Sequence, residues 1–397
     1  MAKALEGVRV LDLTRMYGGP LGTMILAELG AEVIKVELPG GGDAIRTTAP
    51  LTEGQESYRF VALNRGKRGI TLNFHTEEGR RICKELVKKS DVLVENFTPG
   101  VMERFGLGYD ELKEHNPRLI YASISGFGCT GPYRTRVAFD TIIQAMGGII
   151  SVNGFPDAPP TKVGPAIADF MGGIFSDIAI LAALQHRNST GEGQFVDISM
   201  QDCVWYITAT QFLPNYISTG KDPPRLGNRQ IEVTPFNIYR AKDGYIVIGI
   251  VTIDQWHRLL EMISREDLKD IPELASQATR IEHTEEIDAV VETWTQERTV
   301  DGMLEILGAA DLACSPVPTF SQVAKDPQLA NRRMQVEVEQ IISGKLKVPG
   351  SVFKMSQSPG DAAQQAPFLG QHNAEVYAEL LGYDHKTIDR LQQEGII

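Results

Sequence analysis

The feature that most constrains the fold is the regular exchange of short apolar runs with amphipathic stretches over the first 125 residues. Residues 8–13, 32–37, 70–72, 92–95 and 119–124 read as buried strands. Residues 23–29, 77–89, 100–105 and 110–115 have helical character. Strands separated by helices need crossover connections, which make neighbouring strands parallel. The expected fold class is therefore α/β, with an open, mostly parallel sheet. The first strand and helix are joined by Gly18-Gly19-Pro20, with Gly22 close behind, and Glu37 ends the second strand. These glycines do not make G-x-G-x-x-G, so a tight turn is the simpler reading than a dinucleotide site. No G-x-x-x-x-G-K-[ST] loop occurs, so ATP-driven acyl activation has no support.

Further along, 139–148 and 169–186 read as helices, and Gly191-Glu192-Gly193 turns into a strand at 195–199. A helix carrying Trp205, Tyr206 and Phe212 follows. Composition changes at Asp222-Pro223-Pro224. Beyond it, 236–239 and 245–250 form a hairpin pattern through Lys242-Asp243-Gly244, and helices fill 253–307. Pro316 and Pro318 mark the end of this region. We expect a large α/β domain from 1–220, a small α+β domain from 221–320, and a segment from 321–397 that returns to the large domain. That last segment holds strand patterns at 335–341 and 346–349 and a final helix.

Charge and composition narrow the function. The chain carries 39 Lys and Arg against 51 Asp and Glu, a formal charge of −12, which disfavours nucleic-acid binding. The four cysteines form no C-x-x-C and the seven histidines no H-E-x-x-H, so neither a metal nor a tightly bound cofactor is expected. No membrane partner is expected, because no apolar run is read as approaching the roughly 20 residues of a span. The opening residues lack the apolar stretch of a secretion leader, and the widely spaced cysteines suit a reducing compartment, so the expected location is cytoplasmic.

Two sets of residues carry candidate chemistry. Arg15, Lys35, Arg46, Arg65, Lys67, Arg68 and Arg104 recur near predicted strand ends, where open α/β sheets bind ligands. A converging subset would hold a phosphorylated cosubstrate; taken singly, each is more simply a solvated loop residue. Asp169 lies in the small, apolar stretch GPAIADFMGG at 164–173. A carboxylate there is costly unless paired or functional. It reads equally as a helix N-cap and as a catalyst. Gly172 and Gly173 read as room for a ligand to approach the backbone.

In order along the chain, LEGVRVLDLT at 5–14, GAEVIKVE at 30–37, DVLVENF at 91–97, SGFG at 125–128, DFMGG at 169–173, TGEGQ at 190–194 and LGQH at 369–372 resemble the class III CoA-transferase family. The resemblance spans nearly the whole chain. It implies a CoA thioester as cosubstrate, a carboxylic acid as second substrate, and Asp169 as the nucleophile that carries acyl-aspartyl anhydride and aspartyl-CoA intermediates. It also implies an interlocked homodimer with a Rossmann-like large domain. The family's CoA-contacting segments fall on Met16, Tyr17, Leu72, Asn73, Phe74, His75, Asn96, Phe97 and Arg104, and on Arg136, Phe139 and Asp140. Formyl-CoA transferases have a lysine where Val137 stands here, a role for which Arg136 is the neighbouring candidate. Their glycine-rich loop is replaced by Arg225-Leu226-Gly227-Asn228-Arg229. The pattern looks closer to the branch acting on succinyl-CoA and other dicarboxylates. The 2-methylacyl-CoA racemases of the same superfamily are the alternative, but their catalytic His falls on Phe139. Racemisation needs a second proton-transfer group there.

Overall fold

In the computed structural model the described residues, 3–397, cluster into two compact units. The larger comprises 3–149, Lys162–Thr219 and Pro327–Ile397; the smaller comprises Ile150–Thr161 and Gly220–Asp326. The piece Ile150–Thr161, left in the large domain by the sequence reading, belongs to the smaller unit.

In chain order the elements to residue 219 are β1 (Arg9–Asp12), α1 (Gly18–Glu28), β2 (Glu32–Glu37), α2 (Tyr58–Asn64), β3 (Lys67–Thr71), α3 (Glu77–Val87), β4 (Val92–Glu95), α4 (Val101–Arg104), α5 (Tyr109–His115), β5 (Ile120–Ser125), α6 (Asp140–Met146), α7 (Ile149–Val152), α8 (Ile167–Thr190), β6 (Phe195–Ser199) and α9 (Met200–Thr219). The six strands form one sheet in the order β3-β2-β1-β4-β5-β6, parallel throughout. Successive side chains alternate across it. Val10 joins a core with Leu26, Ile124, Ile180 and Val204, whereas Leu11 joins Ile34, Ile82, Leu86 and Leu112 on the other face. From β1 the chain winds outward to β2 and β3, then returns to lay β4 on the opposite side. The loops after β1 and β4 therefore diverge, opening a crevice at the carboxyl ends of the strands.

The glycines near residue 20 are not a turn. Gly18, Gly19 and Gly22 lie inside α1, which crosses α8 at close range. A Cβ on Gly18 would sit 2.3 Å from the Asp169 carbonyl oxygen, and one on Gly173 would sit 2.3 Å from the Gly18 carbonyl oxygen. One on Gly172 would meet Met200 at 3.0 Å. Gly172 and Gly173 thus serve helix and sheet packing rather than access for a ligand.

Beneath the β1 loop lies a buried ionic cluster. The Lys67 ammonium bonds Asp12 at 2.9 Å, Thr23 at 2.7 Å and Asn64 at 2.9 Å. That of Lys35 bonds the Thr14 carbonyl at 2.9 Å and Asp43 at 3.3 Å. Although burial works the other way, Lys67 and Lys35 hold Asp12 below the usual carboxylate range. The chain end closes on the far edge of the sheet. Asn373 bonds both the amide and the hydroxyl of Thr71, and Tyr377 donates to the Thr71 carbonyl at 2.7 Å.

The smaller unit has a three-stranded antiparallel sheet of β7 (Phe236–Arg240), β8 (Tyr245–Gly249) and β9 (Ala313–Pro316), with Trp256, Leu259, Val291 and Met303 buried among its helices. The hairpin β10 (Gln335–Gln340) and β11 (Gly344–Pro349) packs Val338 and Leu346 against Phe60 of α2. Contrary to the sequence reading, one helix, Ile167–Thr190, is long and apolar enough to cross a membrane by length and composition alone. It carries Asp169 and Asp177, and its Ala168, Ile180 and Ala183 are packed into the core of the larger unit.

Candidate active site

Loops from β1, β4, β5 and the start of α8 enclose a cavity of about 470 Å³ at the carboxyl ends of the strands. Each wall has a local cause. After β1 the backbone turns sharply at Met16, whose φ of 67° is held by hydrogen bonds from its amide to the Asp43 carboxylate at 3.1 and 3.2 Å. Asn96 follows β4 and exchanges two 2.8 Å hydrogen bonds with the backbone of Arg15, clipping the β1 and β4 loops together. The Arg15 guanidinium lies 4.4 Å over the Phe97 ring.

Asp169 stands in the first turn of α8 and lines the cavity. It is not the helix cap. Ala166 occupies that position and offers no side-chain acceptor. The orphan N–H of Ala168 instead donates to Asp140 at 2.9 Å, a carboxylate brought by α6. The second oxygen of Asp140 accepts from Gln144 at 2.7 Å, and the fully buried Gln144 in turn accepts from the Val163 amide at 2.9 Å. One carboxylate and one amide thus hold the loop leading into α8. Burial, reinforced by the Asp140 charge, pushes Asp169 up to about 7.

The cavity gathers Met16, Tyr17, Asn96 and Phe97 with Arg136, Phe139, Asp140 and Asp169. Phe139 is 70% exposed at the rim, and the Arg136 guanidinium stacks 3.9 Å over the Tyr133 ring. Leu72, Asn73, Phe74 and His75 lie outside the cavity. They follow β3 on the same edge of the sheet, where Leu72 is core, Asn73 bonds the backbone of Gly395 and Ile396, and Phe74 and His75 flank Phe105. Arg104 is exposed at the end of α4, outside the lining.

Most of the basic residues singled out at strand ends do not converge on a ligand. Lys35 and Lys67 are buried in the ionic cluster, Arg46 is paired with Glu37, Arg65 with Glu28, and Arg68 with Glu32, Glu375 and Glu379. Arg15 and Arg104 stay free of carboxylates among the described residues. Three residues that the sequence reading passed over do line the cavity: Arg134, Lys162 and Ser125. Ser125 is 6% exposed and its hydroxyl has no internal partner, leaving a donor for an oxygen of a bound molecule. Its place in the SGFG segment was the available signal.

The CoA-transferase family III model matches residues 5–373. The chain is 38% identical over 385 residues to a succinyl-CoA:mesaconate CoA-transferase of Haloarcula marismortui, covering 95% of this chain and 96% of that one. It is also 38% identical over 413 residues to a formyl-CoA:oxalate CoA-transferase of Streptomyces avermitilis, with both chains fully covered. The crystal structure of a CaiB/BaiF family protein from Brucella suis superposes with a TM-score of 0.85 at 36% identity, covering 96% of this chain and all of the other. With ordered motifs, a parallel sheet and matches along the whole length in agreement, the chain belongs to CoA-transferase family III, an enzyme family whose cosubstrate is a CoA thioester.

Proposed function

We propose that this enzyme moves CoA from a dicarboxyl-CoA donor of the succinyl-CoA kind to a carboxylic acid, through covalent intermediates on Asp169. The observation that carries the proposal is a carboxylate without a basic partner, set in the first turn of a helix and facing the cavity at the strand switch point. An Oδ of Asp169 attacks the thioester carbonyl; the C–S bond breaks and CoA leaves as thiolate, giving an acyl-aspartyl anhydride. The thiolate attacks the aspartyl carbonyl, releasing the donor acid as carboxylate and leaving aspartyl-CoA. The acceptor carboxylate then repeats the two steps in reverse. Each step exchanges one acyl bond for another, so no ATP is needed. The Ser125 hydroxyl supports a tetrahedral oxyanion. The CoA moiety would run from the cavity along the strand ends toward residues 72–75 and Arg104, with Arg136 at the mouth. The cavity lining contains no histidine, which weighs against proton transfer of the racemase kind. We infer a cytoplasmic enzyme from its four free cysteines.

The test is to incubate enzyme with succinyl-CoA alone, quench and digest. A peptide containing Asp169 should carry a CoA adduct or, with hydroxylamine, a hydroxamate. Asp169→Asn should abolish transfer while CoA still binds. An adduct on another carboxylate, or full turnover by Asp169→Asn, overturns the assignment. Loss of an α-proton into deuterated water without acyl exchange would instead mark a racemase.

A further inference from the structure

The cavity holds more positive charge than its own carboxylates use. Arg134, Arg136 and Lys162 line it, against Asp140 and Asp169. Neither carboxylate is ion-paired with these cations: both Asp140 oxygens accept from neutral N–H donors, and Asp169, raised to about 7 by burial and the Asp140 charge, has no basic partner. Arg136 is stacked on Tyr133. Arg134 and Lys162 pair with no carboxylate among the described residues. In a chain where acidic residues outnumber basic ones by 51 to 39, exposed cations that line the cavity without a carboxylate partner suit an anion from outside. Lys162 is also placed with some care. Its ammonium lies 3.3 and 3.2 Å from the Val163 and Gly164 carbonyls, and the Val163 amide is pinned by Gln144. The lysine therefore lines the cavity from the anchored loop that leads into Asp169.

Resting on the transferase reading above, we propose that Lys162 and Arg134 bind the distal carboxylate of a dicarboxylate acyl group and so select dicarboxylic over monocarboxylic acids. A carboxylate met by an ammonium and a guanidinium makes charge-assisted hydrogen bonds, whereas a methyl end would leave both cations to be desolvated unpaired.

The experiment measures kcat/KM with succinyl-CoA as donor and glutarate or pentanoate, acids of equal carbon number, as acceptors. The wild-type enzyme should favour glutarate. Lys162→Met and Arg134→Gln should each reduce the glutarate-to-pentanoate ratio roughly 10- to 100-fold, the loss expected for one charged hydrogen bond. Lys162→Arg should restore most of it. An unchanged ratio overturns the proposal, whether or not absolute rates fall; if the dissociation constant for free CoA rises at the same time, the cations serve the CoA phosphates instead. A wild-type enzyme that transfers CoA with no preference between the two acids also overturns it. A wild-type enzyme that transfers CoA to neither acid, nor to any other carboxylate, contradicts the transferase reading itself.

Discussion

Asp169 shows how one side chain carries opposing demands. The same burial that surrounds the carboxylate with packed helix and loop raises its pKa from 3.8 to about 7. A helix N-terminus favours the ionised form of a carboxylate beside it; at Asp169, burial and the Asp140 charge outweigh that. Two outcomes follow. In the free enzyme kcat/KM should rise with pH through a midpoint near 7, because only the carboxylate attacks a thioester; a profile flat from pH 5.5 to 8.5 would contradict this. The folded state also binds the proton more tightly than the unfolded chain, so Asp169 adds no instability below pH 3.8, and its cost grows between 3.8 and about 7 and is complete above that. Asp169→Asn should accordingly raise Tm at pH 8 and have little effect near pH 4, the usual exchange of stability against function. Thermal melts at the two pH values check it.

At the level of elements, α1 and α8 meet through glycines because carbonyl groups fill the space where Cβ atoms would stand. Gly173→Ala must push α8 away from the Gly18 carbonyl, moving Asp169 with it. We expect a loss of roughly 1–3 kcal/mol, the range for overpacked sites, together with a fall in kcat. Gly308 lies inside the helix Val300–Ala309 with nothing within 4 Å of an added Cβ. Gly308→Ala should stabilise by about 0.4–1 kcal/mol. Urea unfolding of both variants separates packing from helix propensity: equal shifts would show that the α1–α8 contact is not tight.

For the whole molecule, the exposed side of α8 and α9 is the outstanding surface. Ile178 is 56% and Tyr206 65% exposed, with Ile174, Leu181 and Trp205 also accessible. An apolar face of this kind on two long helices suits an interface, and we propose that two copies associate, the interlocked dimer that the family resemblance implies. Sedimentation should show a dimer that persists on dilution until the chain unfolds. An active monomer at low concentration would contradict the assembly.

The periodicity of residues 8–125 was enough to specify a parallel α/β sheet, since buried strands and amphipathic helices differ in repeat length and both were written plainly in the chain. Asp169 was legible as well, because a carboxylate among alanine, phenylalanine and glycine is anomalous wherever it falls. The partners of that residue were not. Asp140 reaches the α8 N-terminus across 28 positions, and Lys67 reaches Asp12 across 55. Such pairings depend on which loop lies against which once the sheet has formed. For the same reason Lys35 and Lys67, which resemble ligand-binding residues in a list of strand ends, turned out to be buried structural cations. Lys162 and Arg134, each lost among ordinary polar loop residues, were brought to the cavity wall. Local spacing determines which groups a strand or helix presents; only the packed sheet decides which of them are neutralised from within and which face the cavity.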